Sequence, residues 1–89
     1  MADYSTLMSA IIKKEMSIVG KEFALKVARN VPDVEVDDEG NVSGGNKARL
    51  HMLVEEYRRV SGGLAVIFAR KAIQPFLSGG EDLPEELKG

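Results

Sequence analysis

The first side chain that could carry chemistry is His51, the only histidine in a chain of 89 residues. A histidine that binds a metal or acts as a general base needs companions, usually cysteine, further histidines or an oriented acid. The chain has no cysteine, which excludes thiolate catalysis and sulfur-based zinc sites. We therefore expect His51 to be a structural or surface residue, and the sequence predicts no metal site, no cofactor, no catalytic residue and no enzymatic activity.

The second candidate is an acidic run in which Asp33, Glu35 and Asp37 occupy positions 1, 3 and 5 of a would-be calcium loop. The rest of the motif is missing, because position 6 is Asp38 instead of glycine and position 12 is Gly44 instead of glutamate. The run is instead typical of a solvated turn.

A third pattern, Gly40, Gly45 and Lys47, approaches a phosphate-binding loop, but Asn46 separates the last glycine from the lysine. Asn46, Lys47 and Arg49 at a helix start could still hold an anion through free backbone N–H groups. The alternative is that Asn46 simply caps the helix. A basic cluster at residues 58, 59, 70 and 71 could contact nucleic acid, but the net charge of −2 and the lack of interleaved aromatic residues do not favour that partner.

The elements that must position these side chains are mostly helical. The apolar spacing predicts a first helix over residues 4–30, ended by Pro32. One apolar stripe of this helix has heptad-like spacing and consists of Leu7, Ile11, Ile18 and Leu25. A charged stripe borders it, with Glu22, Arg29 and, one heptad before Glu22, Glu15. We interpret the apolar stripe, with Glu22 and Arg29, as the interface with a second copy of the chain; the charged stripe could also be ordinary solvated surface.

A ridge of small residues occurs twice, 41 residues apart. Each ridge has spacing i, i+4 and i+8, and the members are Gly20, Ala24 and Ala28 in the first copy and Ser61, Ala65 and Ala69 in the second. Small side chains let two helix backbones approach closely, so these residues are predicted to mediate helix packing. A true duplication and a chance similarity of two alanine-rich helices both remain open.

The remaining segments are shorter. Residues 34–43 predict a short acidic hairpin, with an ordinary loop as the alternative. Residues 46–60 and 64–76 predict two helices separated by a break at Gly62–Gly63, or one continuous helix. The segment from Leu64 to Ala69 is apolar on every face, so we expect it to form the centre of the core. Residues 79–89 predict a flexible acidic tail in which one turn holds Leu83 and Leu87.

One run resembles short helical accessory segments of prokaryotic signalling proteins, in which a Gly-Pro pair separates two helices. The resemblance covers about twenty residues and is carried by Leu53, Tyr57, Gly62, Ala65, Arg70 and Ala72. Gly63 stands where the proline would be. The resemblance implies a regulatory adaptor.

Taken together, the sequence predicts a mainly α fold: a small bundle of about three helical segments with a short acidic hairpin or loop after the first, over residues 1–78. We expect a non-enzymatic protein-interaction module that forms a homodimer. The alternatives are a small-ligand binding domain with a pocket lined by Phe23, Tyr57, Phe68 and Phe76, and nucleic-acid binding. The sequence has no secretory signal pattern and no apolar run of about eighteen residues, so we expect a cytoplasmic protein without membrane contact.

Overall fold

The computed structural model describes residues 3–88, which are mainly helical, as predicted. Along the chain, the elements are α1 (Tyr4–Val19), α2 (Lys21–Ala28), β1 (Glu35–Val36), β2 (Val42–Ser43), α3 (Lys47–Ser61) and α4 (Leu64–Ile73), followed by single 3-10 turns at Gln74–Phe76 and Glu85–Leu87. None of the helices within residues 3–88 is long and apolar enough to cross a membrane.

The first predicted helix is in fact two helices, because the chain breaks at Gly20. The backbone of Gly20 has φ +95°, a conformation that residues with a Cβ rarely adopt. The carbonyl of Gly20 accepts a hydrogen bond from Ala24 N at 3.0 Å and so begins α2. Gly20 therefore lies between two helices. The spacing predicted that it would form a helical ridge with Ala24 and Ala28, but it does not.

The predicted break between the third and fourth helices is confirmed. Asn46 is the N-cap of α3, since its side-chain oxygen accepts a hydrogen bond from Arg49 N at 2.8 Å. At the other end, Gly62 has φ +65° and stops the helix. Helix α4 then begins at Leu64 and runs back against α1 and α3.

The predicted hairpin is also confirmed, with Glu35 opposite Ser43 and Val36 opposite Val42 in an antiparallel pair. Two serines on α1 hold this segment, because Ser9 Oγ accepts a hydrogen bond from Val42 N and Ser5 Oγ accepts one from Gly45 N, each at 2.8 Å. A Cβ at Gly45 would lie 2.8 Å from the backbone nitrogen of Ser5, so only glycine permits this close approach.

The core lies between α1 and α3 and is closed by α2 and α4. Its largest fully buried apolar side chains come from α1 and α3, together with Ile73 of α4. Those of α1 and α3 are Leu7, Met8, Ile11, Ile12, Leu50, Leu53, Val54 and Tyr57. The prediction that the segment from Leu64 to Ala69 forms the centre of the core is wrong. Only Ala65 and Ala69 are buried there, while Leu64 is 57% exposed and Ile67 is 47% exposed, because α4 packs through one face only.

The acidic tail folds back onto the helices. Leu83 and Leu87 are buried, and Glu85–Leu87 forms the single turn that the sequence predicted. Two polar contacts fix the approach of this segment: Tyr4 Oη donates to the backbone oxygen of Asp82 at 2.7 Å, and Lys47 Nζ lies 2.9 Å from Asp82 Oδ1. This part of the tail is therefore docked on the bundle.

Candidate functional site

The apolar stripe that the sequence assigned to an interface lies mostly inside the chain. Leu7, Ile11 and Leu25 are at most 5% exposed and belong to the core of the monomer. Ile18 is different, since 41% of it remains exposed near the end of α1. In this fold, therefore, only Ile18 of the four apolar residues is available to a partner.

The two charged residues assigned to the same interface are on the surface. Glu22 is exposed on α2. Arg29 is tied to the hairpin, because its guanidinium donates to the backbone oxygen of Val36 at 2.9 Å and lies 3.1 Å from Asp38 Oδ1. An exposed pair of this kind stabilises a protein by only about 0–1 kcal/mol, so its clearest effect is to position the hairpin beside α2.

The small residues of the two predicted ridges lie at helix contacts within the monomer. Ala24 and Ala28 are buried on α2, and Ala65 and Ala69 are buried on α4. Ser61, by contrast, is the half-buried last residue of α3. Each of α2 and α4 packs against both α1 and α3, and the small side chains allow these short helices to lie close to the longer pair.

The outward side of α4 carries the apolar surface that we call the α4 face, defined by Leu64, Ile67 and Phe68. Leu64 and Ile67 are about half exposed and Phe68 is half-buried. Residues at i, i+3 and i+4 lie next to one another on a helix, so these side chains form one continuous patch. Lys71 follows Ile67 by four residues and is exposed, which gives the patch a charged edge.

Two more exposed apolar residues lie at the same end of the bundle as the start of α4. Helices α1 and α3 run in the same direction, because Ser5 contacts Gly45 near their beginnings and the charge of Glu15 acts on Tyr57 towards their ends. Ile18 and Val60 are therefore close to the end at which α4 begins, and they are 41% and 49% exposed.

Glu15 is buried, although the sequence placed it in a surface stripe. Its side chain is 1% exposed, and neither carboxylate oxygen has a hydrogen-bond partner among the described residues. Removal from water raises the pKa of Glu15 above its usual value. Burial, followed by the charge of Glu15, also raises the pKa of Tyr57, whose hydroxyl donates to the backbone oxygen of Ala24 at 2.8 Å.

The aromatic pocket proposed from the sequence is not assembled. Phe23 and Phe76 are 45% and 46% exposed, on α2 and after α4, whereas Tyr57 is buried and hydrogen-bonded. A shallow surface groove of ≈ 500 Å³ lies elsewhere, between the first turns of α3 and the docked tail. Phe68 belongs to the α4 face instead. The four aromatic side chains are thus divided between surface and core.

Apart from Lys71, the basic residues considered for anions or nucleic acid have acidic or carbonyl partners. At the start of α3, Arg49 lies 2.9 Å from Asp33 Oδ2, and Lys47 is paired with Asp82 as described above. Further along, Arg58 and Arg59 each lie 3.4 Å from a glutamate three residues earlier. Arg70 Nε donates to the backbone oxygen of Glu86 at 2.9 Å. These pairings reduce the positive potential that a phosphate backbone would require.

A cluster that the sequence did not predict forms where the tail meets α3. His51 and Glu55 are one turn apart on α3, and Glu86 of the tail places Oε1 2.5 Å from His51 Nδ1. One ligand atom from each residue lies within 4.8 Å of the others. Glu55 could have been noticed at i+4 from His51, but 35 residues separate His51 from Glu86, so no local spacing pointed to the third member.

Comparison of the chain with protein-family models, curated proteins and solved structures finds no match.

Proposed function

We propose that this protein is a non-enzymatic interaction module that forms a homodimer through the α4 face. The observation that carries the proposal is the division of α4 into two sides. Ala65 and Ala69 pack inward, while the bulky apolar side chains of Leu64 and Ile67 point into solvent and are 57% and 47% exposed. Scattered exposed apolar residues are normal on a protein surface, but neighbouring ones on one helix face are typical of a contact site.

A second copy of the chain carries the same apolar surface and can therefore be the partner that covers it. A helix face can meet its own copy around a two-fold axis, so that one patch supplies both sides of the interface. The chain exposes 4944 Å², and a stable interface covers about 800 Å² on each partner. The α4 face, with Ile18 and Val60 at the same end, would supply the apolar centre of such an area.

Replacing Ile67 with glutamate tests this proposal. The change places a charge in the centre of the contact, and burying an unpaired charge is costly. We expect the wild type to sediment as a dimer and Ile67→Glu to raise the dimer dissociation constant at least tenfold, about 1.4 kcal/mol of lost association energy. Sedimentation equilibrium over a wide concentration range gives both constants, and Ile18→Glu should weaken the dimer as well.

The matched control is Met52→Glu, because Met52 is 38% exposed, a fraction similar to that of Ile18, but lies in the first half of α3, away from the end at which α4 begins. It should leave the dissociation constant unchanged, while far-UV circular dichroism checks that both variants keep their helices. A wild type that stays monomeric at every concentration would contradict self-association. Equal weakening by Met52→Glu and Ile67→Glu would contradict the assignment of the interface to α4.

A further inference from the structure

We propose that His51, Glu55 and Glu86 form a binding site for a divalent transition-metal ion of the zinc class. The inference is independent of self-association through α4. It rests on one imidazole and two carboxylates that come from two separate segments and meet at one point, with one donor atom from each residue within 4.8 Å of the others.

The donor set selects the class of ion. Imidazole nitrogen and carboxylate oxygen together suit Zn²⁺ and other divalent first-row metal ions, whereas Mg²⁺ and Ca²⁺ prefer oxygen ligands alone. Zinc lies about 2.0–2.2 Å from such ligands, so two donors on one tetrahedral ion are about 3.3–3.6 Å apart. The separations in the cluster are 2.5 Å between His51 Nδ1 and Glu86 Oε1 and at most 4.8 Å overall. These values lie on either side of that distance, so binding of an ion requires the side chains to rotate.

The backbone on both sides of the site is well supported. His51 and Glu55 are on consecutive turns of α3, which is packed into the core through Leu50 and Leu53. Glu86 is fixed next to buried Leu87, and its own carbonyl accepts a hydrogen bond from Arg70 Nε. Its side chain is only 16% exposed. Three ligands presented from fixed backbone need little reordering when an ion binds.

The charges near the cluster favour a cation, with one competitor. Two carboxylates face a single imidazole, and the nearby ammonium of Lys47 is paired with Asp82. Arg58 is the competitor, since its guanidinium lies 3.4 Å from Glu55 Oε2. It is 54% exposed, so it can turn into solvent when an ion takes the carboxylate.

The site is also open to one side. His51 and Glu86 line the groove of ≈ 500 Å³ between α3 and the tail, together with Ala48 and Pro84. Three protein ligands leave a fourth position of a tetrahedral ion for water or another small ligand, and the groove provides space for it. Because Glu86 belongs to the tail, the ion would also connect the tail to α3.

Isothermal titration calorimetry with ZnCl₂, on the full chain in a non-chelating buffer, tests the site. We expect about one Zn²⁺ per chain, and a dissociation constant raised at least about tenfold by His51→Ala, Glu55→Gln or Glu86→Gln, because even the loss of an outer-shell partner of a ligand typically costs about 10–100-fold in metal affinity. Arg58→Gln should instead tighten binding, because it removes the competitor for Glu55. Glu22→Gln is the control, since this glutamate is exposed on α2 and belongs neither to the cluster nor to the groove.

A second readout uses the single histidine of the chain. Long-range ¹H–¹⁵N NMR spectra of the imidazole should show one ring nitrogen shifting on addition of Zn²⁺, and no such shift with Mg²⁺. The absence of Zn²⁺ binding in the calorimeter would overturn the proposal. So would binding that is unchanged in both His51→Ala and Glu86→Gln, or a histidine spectrum that does not respond to the ion.

Discussion

Replacing Leu87 with alanine is expected to lower the free energy of unfolding by about 2–5 kcal/mol, the range for a large-to-small change in a core. Leu87 is 3% exposed in the turn Glu85–Leu87, which contacts α4. It lines one small cavity there together with Ile73, Leu77 and Leu83. In a chain of 89 residues the total stability is small, so this loss would be a large part of it. Urea unfolding followed by circular dichroism measures the change.

The control for this prediction is Glu85→Ala in the same turn. The Glu85 side chain is 90% exposed and only reaches Lys88 at 3.4 Å, so its removal should change the stability by no more than about 0.5 kcal/mol. If Leu87→Ala and Glu85→Ala unfolded at the same urea concentration, the tail would not be part of the cooperative core.

Local patterns were sufficient to predict most of the chain's elements. The side chain of Asn46 caps α3, Gly62 stops it, and the acidic run forms the turn of a hairpin, each within a few residues of the signal that predicted it. These features depend on backbone conformation and on hydrogen bonds between near neighbours. The order of residues in a single sequence is therefore sufficient to predict such caps and turns.

The break at Gly20 shows where local patterns stop being sufficient. One glycine in a helix costs only about 1 kcal/mol relative to alanine, which an uninterrupted apolar pattern can outweigh, so residues 4–30 predicted one helix. In the structure α2 packs against both α1 and α3, and Tyr57 of α3 donates its hydroxyl to the backbone of Ala24. Contacts between distant segments therefore set the direction of α2, and Gly20 provides the required turn.

The side that each helix turns to the core could not be predicted for the same reason. The spacing of Leu7 and Ile11 showed that they share a helical stripe, which Leu25 on α2 does not continue. It did not show whether another part of the chain or a second copy covers that stripe. The chain itself covers it. On α4 the apolar residues surround the helix, so their periodicity did not show which side of the helix faces the core. In the structure Ala65 and Ala69 pack inward, which leaves Leu64 and Ile67 exposed to solvent.

Replacing Glu15 with leucine is expected to stabilise the protein by about 1–3 kcal/mol at neutral pH, the usual cost of a buried polar group without a partner. Both carboxylate oxygens of Glu15 lack hydrogen-bond partners among the described residues, and the side chain is 1% exposed. Leucine has a similar volume and no desolvation penalty. The control is Glu22→Leu on the exposed side of α2, which should change the unfolding free energy by no more than about 0.5 kcal/mol.

The gain from Glu15→Leu should also depend on pH, in a direction set by the pKa of Glu15. Burial raises the folded-state pKa above the usual 4.5, so the folded protein keeps this proton at pH values where the unfolded chain has lost it. The Glu15 contribution to the wild-type unfolding free energy therefore falls as the pH rises from about 4.5 through the folded-state pKa. Glu15→Leu and Glu15→Gln should both remove this fall, and urea unfolding of the three proteins at a series of pH values measures it. A difference between wild type and Glu15→Leu that stayed constant with pH would mean that Glu15 does not titrate in a buried state.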